Sequence, residues 1–100
     1  QLRNADPFLR ENLARFPEDI RFLNLAAILA YKNNDLREAE VLLRRALAIE
    51  RDPAVLVNLA IVRGQAGDEN ESKALLDEVR SRHPKSLLLP YVHEIGSQTP

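Results

Sequence analysis

The chain has 100 residues, of which 45% are hydrophobic, and it contains three glycines and no cysteine. This length allows at most a single domain, and the hydrophobic content excludes a disordered segment. The absence of cysteine excludes disulfides and thiolate chemistry. A formal net charge of −1 provides no broad field that would attract nucleic acid or an anionic membrane. The sequence has no run of about 18 apolar residues, so we expect no membrane insertion.

The sequence begins at Gln1 and contains no methionine. We therefore expect a processed product or a fragment of a longer protein, and the compartment stays open between cytoplasm and periplasm.

Prolines, glycines and short polar runs divide the chain into six predicted helices. Most of them begin at an aspartate or serine, which is typical of N-caps, and two aspartates precede a proline in the first helical turn. The predicted helices cover residues 8–16, 18–32, 35–50, 52–67, 68–83 and 85–95.

Asn34 and Gly67 follow the second and fourth predicted helices, where a residue with positive φ is expected. Three Glu–Arg pairs four residues apart are expected on the solvent sides of alternate helices. These pairs are Glu11/Arg15, Glu40/Arg44 and Glu78/Arg82.

A repeat of about 34 residues relates these helices. Shifting the sequence by 34 residues places Ala5 on Ala39 and the run Asn24–Ala26 on Asn58–Ala60. Small residues recur where paired helices would need to approach each other closely. They are Ala26, Ala39, Ala60 and Ser72.

This pattern resembles a degenerate form of the tetratricopeptide repeat (TPR) family over roughly residues 5–95. The first-helix positions of the family fall on Phe22, Leu25, Ala26 and Leu29, and the second-helix positions on Ala39, Leu43 and Ala46. The next repeat has Leu56, Leu59, Ala60, Arg63, Ser72, Leu76 and Pro84 at these places. Arg63 stands where an aromatic is usual, so we expect its aliphatic stem to be buried while its guanidinium reaches solvent or a carboxylate.

The resemblance implies an all-α fold, a right-handed α-solenoid of antiparallel helix–turn–helix hairpins with about six helices. Residues 1–100 would form a single TPR-like domain fragment. Within it, 5–17 is the second helix of a partial repeat, 18–51 and 53–84 are repeats, and 85–95 is the first helix of a further repeat or a capping helix.

Few residues could support catalysis or metal binding. His93-Glu94 lacks the second histidine of the zinc-protease motif, and there is no glycine-rich phosphate loop. We therefore expect no enzyme activity, no metal and no cofactor, with the acidic residues acting mainly as helix caps. One basic cluster suits either an anion or nucleic-acid contact or, more simply, cations at a helix C-terminus. It consists of Arg80, Arg82, His83 and Lys85.

In the TPR family the first helix of each repeat lines a concave groove. By resemblance, the groove positions here are Ile20, Leu23, Asn24, Ala27, Tyr31, Ala54, Val57, Asn58, Ile61 and Gln65. Family members that grip a C-terminal carboxylate need polar residues where Leu23, Ala27 and Val57 stand, so that clamp is expected to be absent. An apolar groove suits an amphipathic helix or an extended apolar peptide, with Tyr31 as the best anchor.

The resemblance thus implies a protein–protein interaction scaffold module that binds a protein or peptide partner within a larger assembly protein. One alternative is an RNA-binding helical repeat, since Leu59 to Arg82 is superficially similar to a pentatricopeptide repeat. The net charge of −1 argues against nucleic acid. Another alternative is a structural spacer attached to a functional domain elsewhere. Separately, the exposed ends of the repeat stack would allow self-association.

Overall fold

The computed structural model describes residues 7–97, and all of its regular elements are α-helices. They are α1 (Pro7–Arg15), α2 (Ile20–Lys32), α3 (Leu36–Ile49), α4 (Pro53–Gln65), α5 (Glu69–Arg82) and α6 (Leu89–Ser97). The described residues contain no strand, and none of their helices is long and apolar enough to cross a membrane. The predicted cap at Asp6 and the start of the repeat at Ala5 lie outside the described residues.

Aspartate side chains cap the N-termini of the four central helices. The carboxylates of Asp35 and Asp68 each accept the backbone N–H of the residue three positions later, at 3.1 Å. Asp19 and Asp52 each accept the N–H two positions later, at 2.9 and 2.8 Å. These bonds satisfy N–H groups that the first helical turn leaves free, and they explain why α2 begins after Asp19 rather than at Glu18.

The start of the sixth helix differs from the prediction. Residues 85–88 form turns, and α6 begins at Leu89. The Ser86 hydroxyl accepts the Leu88 N–H at 3.1 Å, so the serine makes a local turn instead of continuing a helix from Lys85. Pro90 falls in the first turn of α6, as expected.

Both predicted positive-φ residues are confirmed. Asn34 has a φ of 63° and Gly67 a φ of 98°. In each turn the next aspartate donates its N–H to a carbonyl in the last turn of the preceding helix, Asp35 to Ala30 at 2.8 Å and Asp68 to Arg63 at 2.9 Å. This is the Schellman arrangement, and it leads directly into the aspartate cap of the next helix.

The helices pack in chain order, and α2 also contacts α4. Two helical hairpins, α2–α3 and α4–α5, therefore lie side by side, with α1 on α2 and α6 on α5. The molecule is compact, with extents of 37 × 26 × 19 Å and a radius of gyration of 13.4 Å. The α2–α4 contact places the first helices of the two hairpins next to each other.

Small residues are buried in both hairpins. Ala26, Ala39 and Ala60 are fully buried, and Ser72 is 2% exposed. The Ser72 hydroxyl donates to the Ala60 carbonyl at 2.8 Å, so a hydrogen bond marks the place where α5 approaches α4. A larger residue at either position would separate the two helices.

An ion-pair cluster joins α3, α4 and α5. The Arg63 guanidinium donates to Glu40, Asp68 and Glu71 at 2.9–3.1 Å, and its side chain is 21% exposed. Of the two outcomes predicted for the Arg63 guanidinium, solvent or a carboxylate, the structure shows the carboxylate. Arg44 bonds both Glu40 and Glu71, so the predicted Glu40/Arg44 pair is confirmed as well.

The other two predicted Glu–Arg pairs are wrong. Glu78 accepts two bonds of 2.7 Å from Arg51 instead of pairing with Arg82. Arg15 does not pair with Glu11; its guanidinium lies 5.5 Å from the ring centroid of Phe16. In both cases a partner outside the helix replaces the weak contact four residues away.

Candidate functional site

A pocket of about 240 Å³ opens between α2, α4 and α6. Its walls combine aliphatic side chains with two tyrosines, an asparagine and a lysine. The lining residues are Ala27, Ile28, Tyr31, Lys32, Leu43, Asn58, Ile61, Val62 and Tyr91.

The structure brings four predicted groove residues to this pocket. Tyr31 and Ile61 are half-buried side chains that line it from α2 and α4, and Asn58 lies beside them. Ala27 also lines the pocket, although it is only 1% exposed. The combination of an aromatic ring, a branched aliphatic and an amide therefore matches the predicted kind of surface at this one place.

Three predicted groove residues belong to the core instead. Leu23 is fully buried, and Ala27 and Val57 are 1% and 3% exposed. These residues were predicted to line the groove, but α2 and α4 contact each other directly. Leu23 and Val57 are therefore buried, whereas Ala27 contributes only a small area to the pocket wall.

The remaining predicted groove residues do not line this pocket. Ile20 is half-buried and lines a different cleft, beside Phe16 and Ile49. Ala54 is half-buried at the start of α4, and Gln65 is exposed at its end. The predicted groove is thus a short pocket between Ala27 and Tyr31 on one side and Asn58 and Ile61 on the other.

The two predicted groove asparagines bond each other. Asn58 donates its Nδ2 to Asn24 Oδ1 at 2.9 Å, and the two residues are 34 positions apart. The bond joins equivalent positions of the two hairpins and fixes the orientation of the Asn58 amide at the pocket wall. Asn24 is therefore a residue that positions Asn58, and it does not line the pocket.

Sequence reasoning missed the contribution of α6. Tyr91 lines the pocket and is 48% exposed. Continuing the 34-residue offset from Leu23 through Val57 leads to Tyr91, so the repeat itself contained the signal. Ile28 and Lys32 were also missed, since both lie beside the predicted face of α2.

The electrostatics of the pocket are simple. No carboxylate lines it, and Lys32 is its single cation. Its polar groups are otherwise the Tyr31 and Tyr91 hydroxyls and the Asn58 amide. Such groups can orient a bound peptide by hydrogen bonds, but they do not form a pair of nucleophile and base. Within residues 7–97 there is also no cluster of His, Cys, Asp or Glu that could hold a metal ion.

The predicted basic cluster does not form one site. Arg80 donates to Asp77 at 2.6 Å and lies with His93 at a cavity of about 350 Å³ between α5 and α6. His83 shares a hydrogen bond of 2.9 Å with the Arg51 carbonyl, toward the α3–α4 loop. Arg80 and His83 therefore serve separate local contacts.

No family model matches the chain, and neither the curated proteins nor the solved structures contain a match.

Proposed function

We propose that the chain is a TPR-like protein-interaction module, a right-handed stack of helical hairpins that binds a segment of a partner protein in the pocket between α2, α4 and α6. The observation that carries this proposal is the pocket itself, an apolar recess with Tyr31, Ile61 and Tyr91 accessible around it. The contact of α2 with α4 and the two equivalent Schellman turns support the repeat arrangement.

The pocket favours a peptide with one large apolar anchor. Its volume of about 240 Å³ suits a single aromatic or branched aliphatic side chain. Tyrosines at the edge supply large contact areas with little loss of side-chain entropy, and the Asn58 amide can bond a peptide backbone group. Lys32 favours a carboxylate next to the anchor, so the partner segment combines an apolar residue with a neighbouring acidic one.

A random dodecapeptide library displayed on phage tests this proposal. Selected peptides are synthesised with a fluorescent label, and their affinities are measured by fluorescence anisotropy. We expect an apolar anchor beside an acidic residue to be enriched, and we expect Tyr31→Ala and Ile61→Lys each to weaken binding about tenfold or more. Phe8→Ala is the matched control, since Phe8 is 68% exposed on α1 and does not line the pocket.

Val57 is excluded from this test because its burial would confuse a binding defect with unfolding. Circular dichroism spectra of all variants must match that of the parent. Selected peptides that bind Tyr31→Ala and Ile61→Lys as tightly as the parent place the site on another face. A library that yields no enriched sequence favours the structural spacer.

The RNA-binding alternative predicts a different dependence of affinity on salt concentration. The affinity of an apolar pocket with one cation is expected to change little between about 50 and 200 mM salt. An affinity that depends on several phosphate contacts would fall by orders of magnitude over the same rise in salt. Anisotropy of a labelled oligouridine over the same salt range separates the two. Tight and steeply salt-dependent oligouridine binding would support the RNA alternative.

A further inference from the structure

A second apolar cleft lies between the α1–α2 loop and the C-terminal end of α3. Phe16, Pro17, Ile20 and Ile49 line it, and it encloses about 640 Å³. Phe16 and Ile49 are 47% and 46% exposed, although both are large hydrophobic residues. An adjoining open cavity shares Pro17 and Ile49 and continues to Ala48. The two cavities form one apolar surface that nothing in the described chain covers.

The cleft has an acidic rim. Glu18 and Glu50 line it, both are exposed, and neither forms an ion pair with another described residue. Among the nearby cations, Arg21 pairs with Asp19 and Arg51 pairs with Glu78, whereas Arg15 lies beside the Phe16 ring and Arg45, which lines the adjoining cavity, donates to the Pro17 carbonyl. The Glu18 and Glu50 carboxylates are therefore available to a positive charge that accompanies an apolar side chain.

The α5–α6 loop of the same chain presents such a group. Leu87 is 96% exposed, and Lys85, two residues before it, is exposed and forms no ion pair with another described residue. The loop is held by the bond from the Ser86 N–H to the His83 carbonyl at 3.0 Å and by the Ser86 hydroxyl, which accepts the Leu88 N–H. Leu87 therefore projects from a loop whose backbone is hydrogen-bonded on both sides of it. We call residues 85–87 the knob.

We propose that the cleft binds the knob of a second copy of this chain. Leu87 would lie against Phe16 and Ile49, and Lys85 would meet Glu18 or Glu50. The knob does not occupy the cleft of its own molecule in this structure, because Leu87 is almost fully exposed and does not line the cleft. The contact joins two different patches, so it is head-to-tail in type, and it is independent of the pocket between α2, α4 and α6.

Sedimentation equilibrium of the chain and of two complementary variants tests this proposal. Leu87→Asp removes the knob and leaves the cleft intact, whereas Ile49→Asp disrupts the cleft and leaves the knob intact. We expect the parent to associate, and each variant alone to associate at least about tenfold more weakly. An equimolar mixture of the two variants should recover association, because it contains one intact cleft and one intact knob.

Charge reversal supplies a second, independent mixture. Glu50→Lys and Lys85→Glu should each weaken self-association, and mixing them should restore it, since an acidic knob then meets a basic cleft. Phe8→Asp is the control, because it changes another exposed hydrophobic residue, one that lines neither surface. Circular dichroism checks the fold of every variant, and the changed side chains are all substantially exposed.

Three results would overturn the proposal. The parent could stay monomeric up to about 1 mM, which corresponds to negligible affinity in this assay. Association could persist unchanged in Leu87→Asp, or the mixtures could fail to recover it. A monomeric parent that binds a synthetic peptide of residues 80–89 would assign the cleft to basic segments of other proteins instead of to a second copy.

Discussion

Asn34 and Gly67 have the same structural role in the two hairpins, because each lies in the turn between the first helix and the second. Each follows the first helix of its hairpin and adopts a positive φ, which lets the chain turn and reach the aspartate that caps the second helix. The φ of 63° at Asn34 lies in the left-handed helical region that asparagine tolerates. The φ of 98° at Gly67 is larger, and only glycine adopts it without steric cost.

We expect Gly67→Val to destabilise the protein and Gly64→Ala to be tolerated. A β-branched residue in the left-handed region costs about 1–2 kcal/mol or more. A Cβ at Gly64 would meet Ser72 Oγ at 3.4 Å, an ordinary contact, and alanine favours the helix by about 0.5–1 kcal/mol. Urea unfolding of both variants measures the difference. Equal effects would mean that the turn does not depend on the φ of Gly67.

Arg63 shows what the sequence can and cannot predict about one residue. Its place in the repeat predicted a buried stem and a guanidinium that reaches either solvent or a carboxylate. It did not predict that Glu40, Asp68 and Glu71 would all bond the guanidinium. Those partners come from three different parts of the chain, and only the packing of α3 and α5 around α4 brings them together.

At the scale of the helices, features set by neighbouring residues could be predicted from the sequence, whereas features set by contacts between helices could not. The caps of α3, α4 and α5 and the positive-φ turns at Asn34 and Gly67 depend on residues that are neighbours in sequence, so their positions could be predicted, whereas the Asp19 cap of α2 was missed. The burial of Leu23 and Val57 depends on the contact between α2 and α4, which no local pattern contains. The groove prediction therefore assigned core residues to the surface, and the place where a partner binds stays a prediction.

The helix crossings give the second prediction. We expect Ala60→Leu and Ala26→Leu each to lower the free energy of unfolding by about 1–3 kcal/mol, because both alanines are fully buried and the added volume separates paired helices. At Ala60 the change would also strain the hydrogen bond from Ser72. Thermal and urea unfolding measure the effect. Ala74→Leu is the control, since Ala74 is exposed on α5, and variants as stable as the parent would contradict the crossing.

At the scale of the whole molecule, arginines of the first hairpin hold carboxylates of the second. Arg44 bonds Glu71 and Arg51 bonds Glu78, and in each pair the two residues are 27 positions apart. Arg51 and Glu78 each stand seven residues after Arg44 and Glu71, so the two pairs follow each other in the same order along the two segments. The α3–α4 contact lies beside these pairs, and ion pairs as exposed as these contribute little to stability.

These pairs make the junction sensitive to acid. The hydrogen bonds from Arg51 hold the pKa of Glu78 below its ordinary value of 4.5. The bond from Arg44, with a further contribution from Arg63, lowers the pKa of Glu40 in the same way. A carboxyl group whose pKa is lower in the folded state stabilises the fold above its unfolded pKa, and this stabilisation disappears as the pH falls through the folded pKa. The loss is therefore expected below about pH 4.5 and not near neutral pH.

A double-mutant cycle on Arg51 and Glu78 isolates this effect. Unfolding free energies of the parent, Arg51→Met, Glu78→Gln and the double variant should give a coupling of about 0.5 kcal/mol at pH 7, because Arg51 remains 46% exposed and solvent screens the pair. At acid pH, below the folded-state pKa of Glu78, the coupling should fall toward zero, because the carboxyl group is then protonated and uncharged. Adding about 0.5 M salt at pH 7 should reduce it partly. A coupling of the same size at both pH values would mean that the two side chains interact through packing and not through charge, and the acid sensitivity would then have to come from the carboxylates around Arg63.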